Sequence, residues 1–127
     1  MENKDYTVEI LEIIRSNTSP GIMRSRLEDY HANDLAEVFP QLKVSERRKI
    51  CRILDLDMLS DIFEHIDEQE AAEYLDEMDI KKAAAILSAM ETDAVVDVLQ
   101  MIPKEKKNLL IELMDDDARK DMAIIAS

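Results

Sequence analysis

Apolar residues return every twelve positions from Asp34 to the C-terminus. The blocks run DLAEVFPQLKVS, ERRKICRILDLD, MLSDIFEHIDEQ and onward to the incomplete ARKDMAIIAS, with no insertion breaking the register. The fifth, sixth and ninth positions of each block are apolar or aromatic, from Val38, Phe39 and Leu42 through Ile62, Phe63 and Ile66 to Met122, Ala123 and Ala126. At about 100° per residue these positions share one helical face. Leu35, Leu59 and Val95, at the second position of their blocks, join the same face. Each block therefore predicts one short amphipathic helix of roughly three turns.

Helix-starting residues recur where one helix must yield to the next. The tenth position reads Asp55, Asp67, Asp79, Glu91, Pro103 and Asp115 in successive blocks, and Asp67 with Glu70 has capping-box spacing. A helix this short cannot bury its own apolar stripe, so it must stack on its neighbours, which is the signature of an α-solenoid. Two blocks make a 24-residue helical hairpin, more compact than the ~34 residues of a tetratricopeptide or the ~40 of HEAT and armadillo units. Before Asp34 the pattern is less regular: TVEILEIIRS reads as a helix, SNTSPG as a turn and IMRSRLEDYHAN as a helix leading into the repeat. The expected fold is all-α, a right-handed, armadillo-like solenoid of about ten short helices. Residues 1–33 lead into the repeat, residues 34–127 form it, and the whole makes one domain. Phe39, Leu54, Phe63, Leu75, Leu87, Leu99 and Ile111 are its expected core.

Composition supports this reading. One Gly, three Pro and an excess of Ala, Leu, Glu, Lys and Met argue for helix and against sheet. A chain of 127 residues buries roughly two-thirds of the surface exposed when unfolded, so no disulfide or metal staple is required. The lone Cys51 sits in the sixth column and reads as a buried structural thiol. Met78, Met90 and Met114 fall in the ninth column and read as core filling. The apolar runs AAAIL and MAIIA are far below the ~20 residues of a membrane span, and MENKDYTVE lacks a signal-peptide pattern. A soluble chain is expected.

The net charge of −13 argues against generic nucleic-acid or anionic-membrane binding, which both need an excess of Lys and Arg. The imbalance is local. Ten acidic residues and no Lys or Arg lie between Asp57 and Asp79, immediately after a block carrying Arg47, Arg48, Lys49 and Arg52. An enzyme has little to rest on: two His, at 31 and 65, one core Cys and no glycine-rich phosphate loop. His31 and His65 read as junction or surface residues. Neither Asp55-Leu-Asp57 nor Asp115-Asp116-Asp117 is followed by the Gly and Glu of a calcium-binding EF-hand.

The carboxylates carry more information on the helical wheel. Asp57, Asp61 and Glu64 follow i, i+4, i+7 spacing away from the apolar stripe, and Glu73 with Asp76 and Asp93 with Asp97 do the same. Like charges at i, i+4 repel by a few tenths of a kcal/mol on an exposed helix, a cost that a bound cation reverses. Magnesium suits such a surface because it keeps several waters and accepts one or two carboxylates. The alternative is that these are solvating charges, with Asp93 also favoured near a helix N-terminus by the macrodipole. Spacing alone leaves both readings open.

The stretch HANDLAEVFPQL resembles the HPADLAE segment that opens the repeat in the cytosolic N-terminal domain of MgtE-type magnesium transporters, with Ala32 at the usual Pro. MLSDIFEHIDEQEAAEYLDEMD and AVVDVLQMIPKE continue the pattern of short helices separated by an acidic cap. The resemblance implies a superhelical solenoid followed by CBS domains and a membrane pore, in a transporter homodimer at the cytoplasmic face of the membrane. It also implies a magnesium sensor in which Mg2+ bound between the acidic face and the CBS domains holds the transporter closed. The family's sensor carboxylates fall on Asp61, Asp93 and Asp97, with Asp57, Glu64 and Glu73 as further candidates. The chain stops before any CBS or membrane segment, so a fragment or a free-standing domain that does not itself transport is expected. A competing class is a protein-interaction scaffold similar to the middle domain of the flagellar motor switch protein. That family's EHPQ motif is not matched, since Glu64-His65 is followed by Ile66-Asp67.

Overall fold

The computed structural model describes residues 5–126, with side chains described through residue 124. Among these, ten α-helices and a single 3-10 turn account for the regular structure, and no strand occurs. The chain forms two compact units, Met1–His65 and Ile66–Ser127.

The first unit holds α1 (Thr7–Arg15), α2 (Pro20–Leu27), α3 (Ala32–Val38), the 3-10 turn Phe39–Gln41, α4 (Val44–Ile53) and α5 (Leu56–Glu64). Helices two apart in sequence stack: α1 on α3, α3 on α5, and α2 on α4, while α1 also touches α2 and α4. The second unit holds α6 (Glu68–Asp76), α7 (Ile80–Ala89), α8 (Thr92–Leu99), α9 (Lys104–Leu113) and α10 (Asp116–Ala126). There α6 packs on α8, α8 on α10, and α7 on α9, with α6 also against α7. One helix per block, stacked on the helix two blocks away, is the arrangement that the twelve-residue register requires.

The columns of the repeat map onto burial. Every fifth position is buried, through Val38, Ile50, Ile62, Tyr74, Ile86, Val98, Leu110 and Met122. The sixth position is buried from Phe39 through Cys51, Phe63, Leu75 and Leu87 to Leu99. It then opens. Ile111, expected in the core, is only half-buried, and Ala123 is exposed. The side chain that fills the core of α9 is its neighbour Leu110, with no exposed surface, because the fifth column points more directly into the stack. In the ninth column Met90 and Met114 are buried as expected, whereas Met78 is half-exposed. Cys51 is buried, as its column requires.

The N-terminal boundaries differ from the sequence reading. Ser19 caps α2, accepting the Ile22 N–H at 3.4 Å, and Pro20 takes the first helical position. The helix therefore begins inside the stretch expected to be a turn. It ends at Leu27, and residues 28–31 form the junction to α3, so IMRSRLEDYHAN is not one helix. The tenth column does start helices: Asp55 accepts the Met58 N–H at 2.9 Å and Asp79 the Lys81 N–H at 3.1 Å. Asp67 occupies the N-cap of α6 without a side-chain cap bond, so its capping-box spacing with Glu70 is not realised as a box. An acid reaches back instead at α4, where the Lys43 N–H donates to Glu46 Oε1 at 2.8 Å.

Candidate functional site

Helix α5 turns its apolar side inward through Leu59, Ile62 and Phe63, and Ser60 is buried with them, its hydroxyl donating to the Asp57 carbonyl at 2.9 Å. Asp57 and Asp61 are consequently held on the opposite, exposed side. The last turn of α5 is tied by His65, whose Nδ1–H donates to the Asp61 carbonyl at 2.8 Å, so His65 acts at the helix junction. His31 occupies the exposed N-cap of α3.

Asp57 and Asp61 line a shallow groove of about 290 Å3 together with Glu28, Tyr30 and Asp55. Two of its four carboxylates are already neutralised. Arg24 donates from Nε to Glu28 and from Nη2 to Asp55, each at 3.1 Å. The side chains of Asp57 and Asp61 have no hydrogen bond or ion pair among the described residues.

In the second unit, α8 buries Val95, Val98 and Leu99 and leaves Asp93 and Asp97 exposed one turn apart. Asp93 lies in the first helical turn, where the helix dipole favours its charge. Neither carboxylate has a side-chain partner among the described residues. Glu73, exposed on α6, borders a groove with Asp76 and Lys106, and Lys106 pairs with Asp76. Glu64 is half-buried and already engaged in an interaction. Asp61 thus belongs to the first unit, and Asp93, Asp97 and Glu73 to the second. No group of three His, Cys, Asp or Glu among the described residues is arranged to hold a metal ion.

Helical periodicity places these carboxylates away from the core but does not reveal the cations that neutralise others. Arg15 with Glu46, Arg24 with Asp55, and Asp76 with Lys106 are separated by 31, 31 and 30 residues. Each pair joins a helix to the third helix onward or to its cap. That separation, about two and a half blocks, follows from the stacking of alternate helices and is not marked in the charge pattern itself.

An all-α repeat of short stacked helices with outward carboxylate pairs defines a helical-repeat domain, and no helix among the described residues is long and apolar enough to cross a membrane. The comparisons narrow the class. The family described as the MgtE intracellular N domain matches residues 30–126, and the chain belongs to it. Similar solved structures include two soluble pieces of magnesium-transport proteins. The soluble part of a magnesium transporter is 26% identical with a TM-score of 0.83, over 92% of this chain and 46% of that one. The cytosolic domain of the Mg2+ channel MgtE in complex with ATP is 25% identical with a TM-score of 0.78, over 92% of this chain and 48% of that one. The chain spans about half the length of these structures. No curated protein matches it.

Proposed function

We propose that this chain is the magnesium-sensing regulatory domain of a magnesium transporter, lying at the cytoplasmic face of the membrane in the whole protein. In this reading Asp61, Asp93 and Asp97 bind Mg2+ weakly, and the domain gates the pore by docking on CBS domains of the same transporter within a homodimer. The observation that carries it is a set of outward carboxylates left without a neutralising cation. Glu28, Asp55, Asp76 and Glu46 have Arg or Lys partners, whereas Asp61, Asp93 and Asp97 have none among the described residues. Family membership and the likeness to magnesium-transporter structures support the same reading.

Weak binding follows from the ligand set. Magnesium holds its waters tightly and is satisfied by one or two carboxylates, so a pair on one helix face retains a largely hydrated ion. Further ligands would come from the docked partner. The test is a magnesium titration of the 15N-labelled chain followed by backbone chemical shifts. Shifts localised to α5 and α8 with a midpoint on the order of millimolar are expected for such incomplete sites. Small uniform shifts across all helices would instead indicate charge screening and favour the interaction-scaffold reading.

A further inference from the structure

Arg24 stands between two grooves, pairing with Glu28 and Asp55 of the first and itself lining the second. The first is the acidic groove already described; the second, about 430 Å3, is bordered by Pro20, Gly21, Arg24, Lys49, Arg52 and Ile53. In a chain with 29 acidic and 16 basic residues, this lining holds three cations and no carboxylate. The groove forms where α2 packs on α4.

The donors are partly committed and partly spare. Lys49 Nζ donates once, to the Ile14 carbonyl at 3.2 Å, and an ammonium has three N–H groups. Arg24 uses Nε on Glu28 and Nη2 on Asp55, which leaves Nη1 unused. Arg52 is exposed and has no hydrogen bond or ion pair among the described residues. Gly21 is the second residue of α2, so its N–H has no acceptor within the helix. A Cβ built there would meet nothing within 4 Å, so the backbone is open to a ligand. Cations on a merely solvated face are free to spread apart. Here Lys49 is pinned by a carbonyl and Arg24 by two carboxylates, and both are held at the same groove.

We propose that this groove binds a phosphate-type dianion, either inorganic phosphate or a phosphomonoester, through Arg52, Lys49 and Arg24. The acceptor count selects the ligand class. A carboxylate offers two oxygens, while a phosphate group offers at least three to spread over two guanidiniums, an ammonium and an open backbone N–H. The net charge of −13 makes a free anion the source rather than a lipid headgroup, since an anionic membrane repels the rest of the chain. The site is independent of the magnesium reading.

The test is a titration of the 15N-labelled chain with inorganic phosphate at about pH 8, above its second pKa so that the dianion dominates, with ionic strength held constant by chloride. Saturable shifts are expected at the amides of Gly21, Lys49 and Arg52. Arg52→Ala should weaken binding about tenfold through loss of charge-assisted hydrogen bonds. Glu28→Gln, which frees Arg24 Nε and removes a nearby negative charge, should tighten it. Shifts no larger than those with chloride, or an affinity unchanged by Arg52→Ala, would overturn the proposal. Vesicles containing phosphatidic acid should not cosediment the chain, and cosedimentation abolished by Arg52→Ala would overturn the choice of a free anion.

Discussion

Phe39 and Phe63 meet edge to face, with ring centroids 5.8 Å apart and planes at 80°. They occupy the sixth position of blocks separated by 24 residues, so the contact expresses the stacking of every second helix. Both rings are almost fully buried, at 2% and 1% exposure, and the edge-to-face geometry contributes beyond the buried area. Truncating Phe63→Ala should destabilise the first unit by about 3 to 5 kcal/mol through lost transfer energy and the cavity left behind. Urea denaturation measures this. A loss below about 1 kcal/mol, typical of surface changes, would mean that the ring is not packed as described.

The tenth-column acids give a paired prediction. Asp55→Ala removes both the cap bond to Met58 and one of the two partners of Arg24, and should cost about 1 kcal/mol. Asp67→Ala occupies the same register position but loses no cap hydrogen bond, so its effect should stay within about 0.5 kcal/mol. Thermal melts of the two variants decide the matter. Equal losses would show that register, and not the observed bond, sets the contribution.

These contrasts mark how much of the structure the sequence carries. The period identified the fifth and sixth columns because a helix presents the same face every block, and Val38 to Leu99 follow it without exception. Burial also needs a neighbour stacked against that face, which the pattern does not contain, and so Ile111 and Ala123 depart from it. The outward placement of Asp61, Asp93 and Asp97 was legible for the same reason as the core. Which acids are neutralised was not. With 35% of residues charged, almost any separation offers an opposite pair, and only the stacking of helices selects those 30 or 31 residues apart.

The Arg15–Glu46 pair predicts an acid limb in the stability profile. Arg15 Nε donates to Glu46 at 2.8 Å and the Lys43 N–H donates to it at 2.8 Å, and together these hold the carboxyl below the ordinary glutamate range. A carboxyl with a depressed folded-state pKa contributes stability that is complete above its unfolded value. That contribution disappears as pH falls through the folded value, since the unfolded chain takes up the proton first. Glu46→Gln should therefore show a shallower fall of Tm with acidification than the parent chain, while the contribution of Asp5, held low by Thr7, persists in both. Identical acid limbs would contradict the assignment.

Replacing Asp61, Asp93 and Asp97 together with Ala, in a transporter carrying this domain, separates two effects of the proposed sensor. The exposed carboxylates repel an acidic docking surface over roughly the 8 Å screening length of physiological salt, and they also supply ion ligands. If shared ions bridge the faces, magnesium favours the docked, closed state by its differential affinity for it. The triple variant then needs more magnesium to close. If relief of repulsion dominates, the variant closes more readily without magnesium. The first outcome is expected, because an ion bound between carboxylates makes directional bonds that screened repulsion between exposed groups does not match. Transport measured across a magnesium series distinguishes the two, and a dependence unchanged from the parent would remove these three residues from the sensor.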